Sequence, residues 1–151
     1  MCWALFLAVP GSELPPITRI DEDDLFGAWR TPNESVHLLG EGYTTWMVGE
    51  ARHCSCAHVS HDSQTDRYTL DDRAAVFIAD TADLAGHVLV ALNWMSGNPE
   101  DVELGPEIQS SMSAATLKSK HRPTLSTRNF VWIEGQHEPQ SSGRTSIPSD
   151  G

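Results

Sequence analysis

The sequence predicts an α+β fold. The expected form is a two-layer sandwich with a mostly antiparallel sheet of about four to six strands and one or two helices on one face. Three observations carry this. Two apolar runs without polar alternation, residues 2–9 and 87–94, have the length of strands buried on both faces. A stretch with helical periodicity and acids in its first turn, residues 71–85, lies just ahead of the second run. Short segments rich in aromatic and β-branched residues, bounded by glycine, supply further strands.

In chain order, Cys2 through Val9 ends at Pro10-Gly11 and reads as a central strand. Residues 12–30 turn acidic: Pro15-Pro16 stiffen the chain, and Asp21, Glu22, Asp23 and Asp24 precede Leu25, Phe26 and Trp29, a pattern expected of a loop closing in one helical turn. Residues 35–39 read as a short strand stopped by Gly40 and Gly42, and residues 43–48 as a strand leading through Gly49 to the cysteine segment. In the helix, Ala74, Ile78 and Ala82 form the apolar stripe and Gly86 the stop. Residues 106–119 have weak helical character, and residues 129–134 form a last strand. The chain thus divides into one domain, residues 1–134, and a polar tail, residues 135–151, too poor in large apolar side chains to offset its ordering entropy.

Composition narrows the function. The 151 residues carry 21 acidic and 10 basic side chains, a formal charge of −11. That disfavours nucleic acid, whose phosphates need a basic face. The apolar start is too short for a membrane span and has no basic residue of a secretory leader, so no membrane association is expected. Three cysteines, an odd number with two of them one residue apart, argue for free or metal-bound thiols in a reducing compartment, so a cytoplasmic protein is expected. No phosphate loop, zinc-protease helix or serine-hydrolase elbow is present and no paired carboxylates stand beside a base, which favours a non-enzymatic role with no catalytic residues.

All three cysteines belong to the candidate site. If residues 53–58 are extended, Cys54, Cys56 and His58 share one strand face at about 6.5–7 Å spacing. With Cys2 from a neighbouring strand they form a four-ligand set for zinc, and His61 is an alternative fourth ligand. Two thiol chemistries compete: a Cys54/Cys56 dithiol cycling with a neighbouring histidine, and Cys2 as an N-terminal nucleophile once Met1 is removed. A third reading treats the cysteines as inert small apolar residues. The other class of function is an acidic module, immunity- or antitoxin-like, binding a basic protein partner. Asp21, Glu22, Asp23 and Asp24 with Trp29 or Trp46 would form its surface, while Trp3, Trp94 and Trp132 go to strand packing.

Met1-Cys2-Trp3-Ala4-Leu5, together with Trp46-Met47-Val48-Gly49-Glu50-Ala51-Arg52-His53-Cys54-Ser55-Cys56, resembles an uncharacterised family of small bacterial proteins. Its members open with Met-Cys and carry a Cys-x-Cys shortly after a strand-ending glycine. The resemblance implies that Cys2 belongs with Cys54 and Cys56, and it brings no activity with it.

Overall fold

Strand β1, Cys2–Pro10, runs antiparallel to two neighbours at once, β3 (Tyr43–Glu50) and β6 (His87–Met95). In this computed structural model, residues 2–11, 26–40, 42–50, 55–105, 107–119, 124, 125, 127 and 129–136 are described. With β2 (Phe26–Arg30), β7 (Ile108–Ser113) and β8 (Phe130–Glu134), the main sheet takes the order β2-β3-β1-β6-β8-β7. Every pairing in it is antiparallel except β7 with β8. A second, two-stranded sheet joins β4 (Val59–Asp62) to β5 (Arg67–Leu70).

The missing alternation in β1 follows from its place at the centre. Leu5, Leu7 and Val9 face the helices while Ala4, Phe6 and Ala8 face the other way, and all six are buried. Each such large side chain contributes about 1.5–3 kcal/mol by leaving water. The helix side is covered by α1 (Asp72–Ala85) and the short α2 (Ala114–Lys118). Asp71 caps α1, its Oδ1 accepting from Ala74 N at 2.9 Å, and Ala74, Ile78 and Ala82 form the buried stripe. Gly86 ends the helix at a φ of 96°, where a side chain would be strained. Gly135 is needed for a different reason: a Cβ there would lie 2.1 Å from the Ala82 carbonyl oxygen, so β8 leaves the sheet in contact with the helix backbone.

On the opposite face Val36 and Leu104 cover Phe6, Met47, Leu89 and Phe130. Val36 sits in a 3-10 turn, Glu34–Leu39, not in the strand expected there. Asn33 decides this by accepting from Ser35 N at 2.9 Å and donating to the Val102 carbonyl at 3.0 Å, which caps the turn and ties it to the far loop. Three other local expectations change. Residues 26–30 form edge strand β2 and not a helical turn, residues 108–113 form β7 before the helix begins, and the β4/β5 hairpin was not anticipated.

Gly135 and Gln136 remain bonded to the body, through the Gly86 carbonyl at 2.9 Å and the Asp83 carboxylate at 2.6 Å. The rest of the polar tail, residues 137–151, lies outside the described residues, as do Asp21, Glu22, Asp23 and Asp24. Among the described residues no helix is long and apolar enough to cross a membrane.

Candidate thiol and histidine site

Strands β1 and β3 part company toward the N-terminal end of β1, and Ser55 fills the gap. Its hydroxyl accepts from Leu5 N at 2.9 Å and donates to the Val48 carbonyl at 2.5 Å, so one oxygen bridges two residues that sit opposite each other in the ladder. Its own N–H donates to the Trp3 carbonyl at 2.9 Å. The hydroxyl is fully buried. Unpaired, those strand groups would each cost about 1–3 kcal/mol.

Directly after Ser55 the chain makes a 3-10 turn, Cys56–His58. Residues 56 and 58 are therefore not on one strand face: at three residues per turn their side chains diverge by about 120°. The turn sends Cys56 to the surface and His58 into the interior. Trp3 N donates to the Cys56 sulfur at 3.2 Å. Since the Trp3 nitrogen is bonded to the carbonyl carbon of residue 2, the Cys2 Cα lies within about 6 Å of that sulfur. Cys2 itself stands opposite Met95 at the end of the sheet. The side chain of Cys2 and the whole of Cys54 lie outside the described residues.

His58 is tied to several elements at once. Its Nδ1 lies 2.7 Å from Asp71 Oδ2, and its carbonyl accepts from Asp71 N at 2.9 Å. One carboxylate therefore serves the α1 cap and the imidazole together. Phe26 stands edge-on to the ring with centroids 4.8 Å apart, and the Arg73 guanidinium covers Phe26 at 4.7 Å. The His58 residue is 7% exposed, and its Nε2 is buried with no hydrogen-bond partner among the described residues. A buried ring nitrogen in this condition calls for a chemical explanation.

His61, the other histidine considered as a ligand, is engaged elsewhere. Its Nε2 lies 2.9 Å from Asp66 Oδ1, and its ring stacks on Tyr68 at 4.4 Å. Trp3 stands edge-on to both Tyr68 and Trp94, at 4.7 Å and 4.9 Å. Burial raises the Tyr68 hydroxyl above its ordinary value, with the Asp66 charge adding to the effect. The tryptophan roles also shift: Trp94, expected in the core, is 45% exposed, whereas Trp29 and Trp46 are half-buried.

Among the described residues no three His, Cys, Asp or Glu side chains converge in a metal-holding group. The arrangement does bring the backbone of residue 2 to the Cys56 sulfur and pre-orients one imidazole by a carboxylate. Sequence reasoning missed Ser55 and Asp71. Asp71 carried a usable signal, an acid immediately before the helix, but nothing local to it named His58 as its partner. No protein-family model, curated protein or solved structure matches this chain.

Proposed function

We propose that the chain is a non-enzymatic binder of a soft divalent metal of the zinc type, with Cys2, Cys54 and Cys56 as sulfur ligands and His58 Nε2 as the nitrogen ligand, the Cys56–His58 turn rearranging on binding so that its two diverging side chains reach one ion. The observation that carries the reading is His58. Metal-bound histidines usually give one ring N–H to a carboxylate, which fixes the tautomer and leaves the other nitrogen for the ion. His58 has its Nδ1 on Asp71 at 2.7 Å and a buried Nε2 with no partner among the described residues. The contact between Trp3 N and the Cys56 sulfur supports the sulfur half, because it gathers residues 2 and 56 at one end of β1. Zinc accepts mixed thiolate and imidazole sets, and binding would tie the turn to the first strand.

Cobalt(II) titration of the metal-free protein tests this, since thiolate coordination gives a charge-transfer band and tetrahedral geometry gives intense visible bands. The expected result is stoichiometric binding, displaced by zinc, with the charge-transfer band weakened in Cys56→Ser and the visible bands altered in His58→Gln. The reading is overturned if no band forms and the thiols react with a disulfide reagent equally fast with and without equimolar zinc. Visible bands that His58→Gln leaves unchanged reduce the site to sulfur alone and remove the observation on which the proposal stands.

A further inference from the structure

Among the described residues, the far end of the main sheet is not covered as its middle is on the face turned away from the helices. Here β8 presents Trp132 and Glu134, and neighbouring β7 sets Ser111 opposite Trp132 and Ser113 opposite Glu134. Serines beside a large indole leave space. A trough of about 540 Å3 results, lined by Ile108, Ser111, Met112, Ser113, Trp132 and Glu134. The indole is held in place from two directions. The His87 ring lies flat on it at 3.8 Å with a 4° angle between planes, and Trp132 Nε1 donates to Glu134 Oε1 at 2.8 Å. The Tyr43 hydroxyl, 2.8 Å from His87 Nε2, fixes the second ring in turn.

Two carboxylates stand by the trough. Among the described residues β7 is an edge strand of the main sheet, with Glu107 just before it and Glu134 opposite its last residue. The acids of α1 are engaged elsewhere, since Asp80 and Asp83 pair with Lys118. An indole held beside a carboxylate is suited to a cationic side chain: the ring takes the methylene stem, and the carboxylate takes the charge.

We propose that this trough receives a lysine or arginine side chain of a basic protein partner lying along the outer edge of β7. The partner's charge complements Glu107 and Glu134, and the trough supplies the point of specificity. The site shares no residue with the proposed metal ligands, so failure of one reading leaves the other standing.

The test is calorimetric titration of the full chain with a short peptide of alternating lysine and alanine, compared with the same peptide carrying acetylated lysines. Binding of the charged peptide alone is expected, weakened about fivefold by Glu134→Gln and by Trp132→Leu, roughly the worth of one solvent-exposed cation–aromatic or charge contact. Ser111→Leu fills the trough from the position opposite Trp132 and should weaken binding at an unchanged melting temperature. Asp101→Asn, outside the trough, should leave it intact. The proposal is overturned by no binding of the charged peptide, by equal binding of the acetylated one, or by equal losses in Asp101→Asn and Glu134→Gln, which would leave only diffuse acidity. Retained affinity in both Trp132→Leu and Ser111→Leu also overturns it.

Discussion

On the helix side of the sheet, Leu5, Leu7, Val88, Val90 and Ile133 meet Ala74, Ile78 and Ala82 of α1 along its length, and Leu117 of α2 closes the end. On the other side Phe6, Met47, Leu89 and Phe130 are covered mainly by Val36 and Leu104 from two short irregular segments, and among the described residues that cover stops before the β7/β8 end. A helix lays a continuous apolar stripe on a sheet, whereas a turn offers one or two side chains. The contrast teaches where this chain concentrates its stability and where it leaves surface for recognition: the helix-covered face is packed throughout, and the aromatic trough lies on the other.

Ile78→Ala should show the difference most strongly. It removes a fully buried side chain from the helix stripe and is expected to cost roughly 3–5 kcal/mol, whereas Leu104→Ala in the opposite cover should cost roughly 2–3 kcal/mol because a loop relaxes into the space. Chemical denaturation of both variants checks this, and equal losses would break the contrast between a rigid and an adaptable cover.

Asp71→Ala comes next. It removes the α1 cap and the partner of His58 Nδ1 in one step, for an expected loss of about 2–3 kcal/mol in the same assay. Asp71→Asn retains an acceptor for Ala74 N and should recover part of that loss. Recovery of all of it would mean that the imidazole contact contributes nothing to stability.

The smallest effect belongs to the open face. Burial pushes His87 below the ordinary histidine value, partly offset by the Glu134 charge. The unfolded chain therefore takes up a proton first as pH falls through about 6.5. In the window between that value and the lowered one, native stability should decline with falling pH, while above it the contribution is fully present. Thermal melts across this range should show the decline in the parent protein and a flatter profile in His87→Gln. An unchanged profile in the variant would show that the stacked ring titrates as though exposed.

Much of the frame was legible in the sequence. The runs that became β1 and β6 lack alternation because both sheet faces are covered there, and a one-dimensional pattern records that condition directly. Asp71, the Ala74, Ile78 and Ala82 stripe and Gly86 specified α1 through local capping and spacing. The edges were harder to read. Residues 108–113, Ile-Gln-Ser-Ser-Met-Ser, carry no apolar rhythm because an edge strand exposes most of its side chains, and β4 has the same difficulty. Residues 26–30 were obscured by the acids before them, which resemble the start of a helix.

At the candidate site, the backbone of residue 2 does reach the Cys56 sulfur, but residues 56–58 do not take the extended geometry expected of them. Extended backbone would have put Cys54, Cys56 and His58 on a common face, but Ser55 is held by Trp3, Leu5 and Val48, and the chain turns immediately after it. The clustering of cysteines, the helix with its cap and stop, and the doubly buried strands were determined by the amino-acid sequence alone, because each is a matter of composition or of contacts within a few residues. Which histidine goes inside, which carboxylate holds it and which indole lies beside an open trough were decided only by tertiary structure. Those outcomes depend on bonds between elements far apart along the chain, and local propensity carries no information about them.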